Sequence, residues 1–359
     1  VPALDSARAL GVMAMVIGHT CDALLSPAAR AAPLVVAYWK ARGLTAPLFM
    51  MVSGWAVTLA VSRAPARGLA LVRTRLPRVL LLLAIGYALR FPGWDIPGLL
   101  AGDPNTWRQL LAFDALHVIA AGLLALLLTL ALPWSTRAKG LAFVLLAAVA
   151  MALGMRPAHL PTATAIPALA LAQAFGGTSP FPVFPWVAYF FLGAAIPLLT
   201  DVRPIRRALA MGGVGAGLVA ATCWQQAGAL PPAHPSLVLF RVGIVLVLLA
   251  ALETSSARVA RGFAPLGRSS LSVYAIHLPI VYGWATLEGL AQRVGPRLTF
   301  SGAALTGVIV LVGALGAGHA MRLAGAGAVA VARRAWSRGR GALAESSRGS
   351  MLGSIHRGT

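Results

Sequence analysis

The sequence predicts an all-α fold, a polytopic helical bundle integral to a membrane with about ten transmembrane helices. Three observations carry this expectation. The 359 residues are 58% hydrophobic and only 11% charged, against about 25% charged in a soluble domain, and the mean hydropathy is +0.80. The apolar runs are long and continuous, which excludes the alternating pattern of a membrane barrel. The basic residues recur in alternate loops. Net charge is +21, but it is scattered between apolar runs rather than massed on a soluble module, so nucleic acid is not an expected partner.

The first expected span, 7–25, lies in LDSARALGVMAMVIGHTCDALL and carries Arg8 and His19. Eleven residues at about 100° each bring both side chains to one helix face, roughly 16 Å apart along the axis. Asp5 and Asp22 each stand three residues from one of them, within reach. This run lacks a charged leader, so it is expected to be a retained span rather than a cleaved signal peptide. Further spans are expected near 44–62, 76–92, 110–132, 139–155, 183–200, 207–224, 237–252, 269–288 and 302–322. The last is rich in Gly and Ala, which favours close helix packing. Residues 157–182 contain ATAIPALALAQAF, which is too short to span and reads as an interfacial or re-entrant helix. Residues 1–322 then form one transmembrane domain. The basic, glycine-rich remainder, 323–359, reads as a disordered cytoplasmic tail that touches anionic lipid.

Charge tests the span count. With a cytoplasmic N-terminus and ten spans, one side holds Arg8, the basic residues of 63–78, 137–139, 203–207 and 258–268, and the tail from Arg322. That is 21 of the 30 basic residues. The positive-inside rule therefore favours both termini in the cytoplasm of a cell (inner) membrane. Cys21 and Cys223 both fall near outer span ends and read as free thiols or, alternatively, as a disulfide.

Ionisable groups inside spans mark function by default. His19 is a natural general base or nucleophile, and Asp22 is placed to fix its tautomer. The alternative is that Arg8 snorkels to the interface while His19 packs. Asp114 and His117 form a second pair at three residues' spacing, either lining a cavity or hydrogen-bonded at the interface. Ser270, Tyr274 and His277 share one face of the ninth span. Ser53, beside Gly54, reads as a packing point or a backbone contact to a ligand. Trp186 and Tyr189 are aromatic-belt anchors or a sugar-stacking platform. No metal is expected, because no short metal-ligand spacing occurs.

Arg8, ten residues and His19, followed by APLFMMVSGW at 46–55, resemble the membrane-bound acyltransferase superfamily. Its branches include the acyltransferase-3 family and a heparan-α-glucosaminide N-acetyltransferase-like family. ALHVIAAGLL (115–124), PVFPWVAYFFLGAAIP (182–197) and LGRSSLSVYAIHLPI (266–280) are similar to the second branch or its bacterial relatives. The resemblance implies that Arg8 and His19 are the essential pair and that the ninth span lines an acyl-donor tunnel. It implies acyl-CoA (acetyl-CoA) as co-substrate, with Arg8 forking onto its phosphates. The expected partner is a saccharide or glycolipid acceptor beyond the membrane, and a homodimer is left open. The competing classes are a secondary transporter or flippase, against which no inverted repeat is seen, and a membrane scaffold.

Overall fold

A computed structural model describes residues 2–91, 93, 95–156, 166–200, 203–223, 225, 230–255 and 257–324, excepting the side chains of 40–42 and 257–260. The expected tail beyond 324 and the start of the 157–182 segment lie outside the described residues.

Every regular element among them is helical. In order these are α1 (Pro2–Leu24), α2 (Pro27–Arg30), α3 (Pro33–Arg42), α4 (Thr45–Ser62), α5 (Gly68–Arg90), α6 (Ile96–Ala101), α7 (Pro104–Leu111) and α8 (Ala115–Ala131). They continue with α9 (Thr136–Gly154), α10 (Ile166–Phe175), α11 (Val183–Leu199), α12 (Pro204–Thr222), α13 (Pro235–Glu253), α14 (Ala257–Arg268), α15 (Ser270–Tyr282), α16 (Leu290–Arg293) and α17 (Phe300–Ala324). By length and apolarity α4, α9, α13 and α17 each qualify as a membrane span, and the bent pair α7–α8 adds a fifth. The apolar helices α11 and α15 are shorter, at 17 and 13 residues. Leu141 and Leu145 on α9, and Leu305, Ile309 and Val312 on α17, are each more than half exposed. Such an apolar outer face suits lipid.

α1 runs unbroken because no proline follows Pro2 until Pro27, and Asp5 in its first turn complements the helix dipole. Two sequence expectations are corrected. The span expected over 110–132 breaks at Ala112, whose backbone is extended, and α7 and α8 meet at 61°. The cause is Asp114, which caps α8 by accepting from the Leu116 N–H at 2.9 Å. The span expected over 269–288 stops at Tyr282, because Gly283 takes a φ of +82°, a region that suits glycine. The short α10 spans about 15 Å and packs on α7 and α11.

Glycine sets the closest helix crossings. A Cβ on Gly54 of α4 would lie 2.0 Å from the Phe190 carbonyl oxygen on α11, and one on Gly193 would lie 2.0 Å from that of Met51. The two backbones touch there, around fully buried Trp55, Met50, Met51 and Phe190. A Cβ on Gly215 of α12 or Gly243 of α13 would come within 2.7 Å of the other's carbonyl oxygen. Gly267, near the end of α14, meets the Asp5 backbone in the same way, at 2.2 Å. That contact pins α14 to the start of α1, so α15 departs alongside α1.

Candidate functional site

α1, α4, α5, α8, α13 and α15 surround a cavity of about 810 Å³, at the upper end of the usual range for ligand pockets. One end carries Arg8 of α1, Arg78 of α5, Arg268 of α14 and Ser270 of α15. The walls between are Met15, Phe49, Ser53, Leu82, Ile119, Leu123 and Tyr274. The other end carries His19, Asp22, Arg30, Trp39, Trp186 and Arg241. Because α1 is continuous, Arg8 and His19 are offset by about 16 Å along one wall.

At the first end Arg8 pairs with Asp5 at 3.6 Å, so one acid meets three guanidinium groups. That surplus suits a polyanion such as a phosphate chain. At the second end the Tyr282 hydroxyl lies 3.0 Å from His19 Nδ1 and 3.4 Å from Asp22 Oδ2. Asp22 also pairs with Arg30 at 3.6 Å. The sequence reading had Asp22 serving His19 as its partner. The structure brings the two together through Tyr282 and divides Asp22 between that hydroxyl and Arg30.

His277 packs against His19, with ring centroids 5.5 Å apart. Its Nδ1 lies 2.8 Å from the Val273 carbonyl and so carries the proton, leaving a buried Nε2 without a hydrogen-bond partner among the described residues. Tyr274 donates to Asp114 Oδ1 at 2.8 Å. Thus Asp114, the cap of α8, anchors a residue of the cavity wall.

Of the residues expected from the sequence, Arg8, His19, Asp22, Ser53, Trp186, Ser270 and Tyr274 line the cavity, while Asp114, His117 and His277 stand behind it. His117 closes the capping box, its Nδ1 accepting from the Asp114 N–H at 3.2 Å, and fits against Gly86. Tyr189 is not a belt anchor: it is 1% exposed, because α11 turns it inward beside Arg241. Trp186 lies on the cavity under the Arg241 guanidinium, 5.9 Å from its ring centroid. Cys21 is buried and Cys223 exposed, and no disulfide joins them. Among the described residues no three metal-type side chains gather; hydrogen bonds organise the polar groups.

Sequence reasoning missed Tyr282, Arg78, Arg241, Arg268, Arg30 and Trp39. The arginines registered only as loop or topology charges. Tyr282 falls outside the three-and-four spacing of Ser270, Tyr274 and His277, beyond Pro279.

A family model described as an acyltransferase domain, acyltransferase-3, matches residues 1–317, a range that holds every cavity residue named above. Of the two branches that the sequence resembles, this is the first. No curated protein and no solved structure matches the chain.

Proposed function

The chain belongs to the acyltransferase-3 family, and on that premise we propose that it takes an acyl group, acetyl in the simplest case, from cytosolic acyl-coenzyme A and delivers it to an extracytoplasmic saccharide. The observation that carries this reading is the cavity with three arginines at one end and His19 at the other. A phosphate-rich donor enters among Arg8, Arg78 and Arg268, and its thioester reaches toward His19 along the apolar wall. The acceptor arrives from the opposite side.

In this reading His19 Nδ1–H donates to Tyr282 Oη, whose own proton points to Asp22. Nε2 then holds the lone pair. It takes the proton of the acceptor hydroxyl or amine as that atom attacks the thioester carbonyl, and returns it to the coenzyme A thiolate as the C–S bond breaks. A histidine-acyl intermediate is the second route, with Nε2 itself forming and then losing the acyl bond. The deciding experiment gives purified full-length chain in detergent labelled acetyl-coenzyme A and follows coenzyme A release and labelled product. A folded protein that releases no coenzyme A with any saccharide would exclude this function.

Arg8→Lys is expected to weaken acyl-coenzyme A binding by about 1–3 kcal/mol, since a point charge replaces a fork. Calorimetry reads it directly. Unchanged affinity would return Arg8 to its ion pair with Asp5.

Ten spans with both termini cytoplasmic are part of the same proposal, supported by the 21-to-9 division of basic residues. In a Cys223→Ser background, Arg67→Cys and Arg261→Cys are expected to react with an impermeant maleimide only from the cytoplasmic side. Leu100→Cys, at a position 85% exposed, should react only from outside. Labelling of positions 67 and 261 from opposite sides would require an odd number of spans between them and break the scheme.

A further inference from the structure

We propose that the His19 end of the cavity holds an anionic group of the acceptor, a carboxylate or a phosphate, with Arg241 as its principal contact. This rests on the acyl-transfer reading and adds the charge class of the substrate.

Arg241 interrupts the apolar run of α13, six residues after Pro235. An arginine at such a depth is costly unless its charge is met. The acids of the described residues are engaged elsewhere: Asp5 with Arg8, Asp22 with Arg30, Glu253 with Arg207 and Glu288 with Arg293. Asp114 holds Tyr274, and Asp95 and Asp103 hold Thr106. No carboxylate among the described residues pairs with Arg241. Among the described residues its buried Nη1 meets no carboxylate or carbonyl, and its polar neighbour is the equally buried hydroxyl of Tyr189. Trp186 and Gly43 pack against the rest of the guanidinium, which orients the fork. Arg241 and Trp186 both line the cavity. A fixed guanidinium that no described carboxylate meets, beside an aromatic face, is the arrangement that grips a planar or tetrahedral oxyanion on a sugar ring. Arg30 at the same mouth is already paired with Asp22, so among the described residues the charge left without a carboxylate there is that of Arg241. The donor's phosphates have their own three arginines at the opposite end.

The test uses the full chain in detergent with methyl β-D-glucuronoside, methyl β-D-glucoside, glucose 6-phosphate and inorganic phosphate. Saturation-transfer NMR reads binding without turnover. The anionic sugars are expected to bind at least ~10-fold more tightly than the glucoside, the advantage shrinking with salt. Arg241→Gln should erase the preference and Arg241→Lys should keep part of it. A tighter glucuronoside points to a uronic acid, and a tighter sugar phosphate to a phosphorylated or lipid-phosphate-linked acceptor; either supports the proposal. Equal binding of glucoside and glucuronoside to the wild type overturns it, even if Arg241→Gln fails to fold. So does a preference that survives Arg241→Gln, or phosphate binding lost in Arg78→Gln but kept in Arg241→Gln. Acylation of a neutral sugar at full rate would sink the anion subsite alone. Absence of coenzyme A release with every acceptor would sink the parent reading, while the binding data still decide the role of Arg241.

Discussion

His19→Ala is expected to lower acyl transfer by about 10²–10⁴-fold, the usual contribution of a general base, while acyl-coenzyme A binding survives. The donor's charges are met at the other end of the cavity, by Arg8, Arg78 and Arg268, so removing an imidazole about 16 Å away leaves those contacts in place. Tyr282→Phe is the companion. It removes the hydroxyl between His19 Nδ1 and Asp22 but keeps the ring, and a smaller loss is expected because the base remains. If His19 is instead acylated, wild-type protein given donor without acceptor should gain the mass of one acyl group on α1, readable by peptide mass spectrometry. A folded, inserted His19→Ala protein that transfers at the wild-type rate would end the assignment of His19.

Gly54→Ala and Gly193→Ala are each expected to destabilise the bundle by about 3 kcal/mol or more, or to prevent its assembly. Their Cβ atoms would meet backbone carbonyls at 2.0 Å. A backbone atom cannot rotate aside as a side chain does, so α4 and α11 would have to separate. Gly213→Ala and Gly217→Ala on α12 serve as controls, because an added Cβ there meets nothing within 4 Å. These should be neutral or gain about 0.5–1 kcal/mol from helix propensity. Melting in detergent, followed by size-exclusion chromatography, separates the two classes. Equal melting of Gly54→Ala and wild type would show that the helices do not approach this closely.

The helical class and the Arg8–His19 wall were legible because both depend on local rules. Apolar content gives membrane helices, and the 3.6-residue period puts positions 8 and 19 on one face. Ser270 and Tyr274 were legible for the same reason. What escaped depends on tertiary neighbours. Arg78 resembles Arg73 and Arg75 until α5 is docked on the cavity, and Arg241 looks like one more outer charge until α13 brings it over Trp186. The pairing of Asp114 and His117 was recognised, but not that they start α8 while Asp114 also holds Tyr274. The local cap there outweighs the apolar run that suggests an unbroken span from 110. Tyr189 shows the converse error: its place in an aromatic run suggests an interface, and only the helix rotation turns it inward.

The hydrogen bond between His19 and Tyr282 joins residues 263 positions apart, and that separation has a consequence for biosynthesis. At about 5–20 residues per second, the ribosome needs on the order of 13–50 s to deliver Tyr282 after His19. Throughout that interval α1 waits for the helix that completes its polar cluster. Asp114 waits likewise for Tyr274, 160 residues later. A nascent chain therefore lacks part of its cavity wall until nearly the whole bundle has been made, and a ribosome that stalls before α15 leaves His19 and Asp22 without the Tyr282 hydroxyl that joins them. Such a product offers membrane quality control a clear target, and a premature stop anywhere before residue 282 should be seen as lost protein rather than as a partially active enzyme.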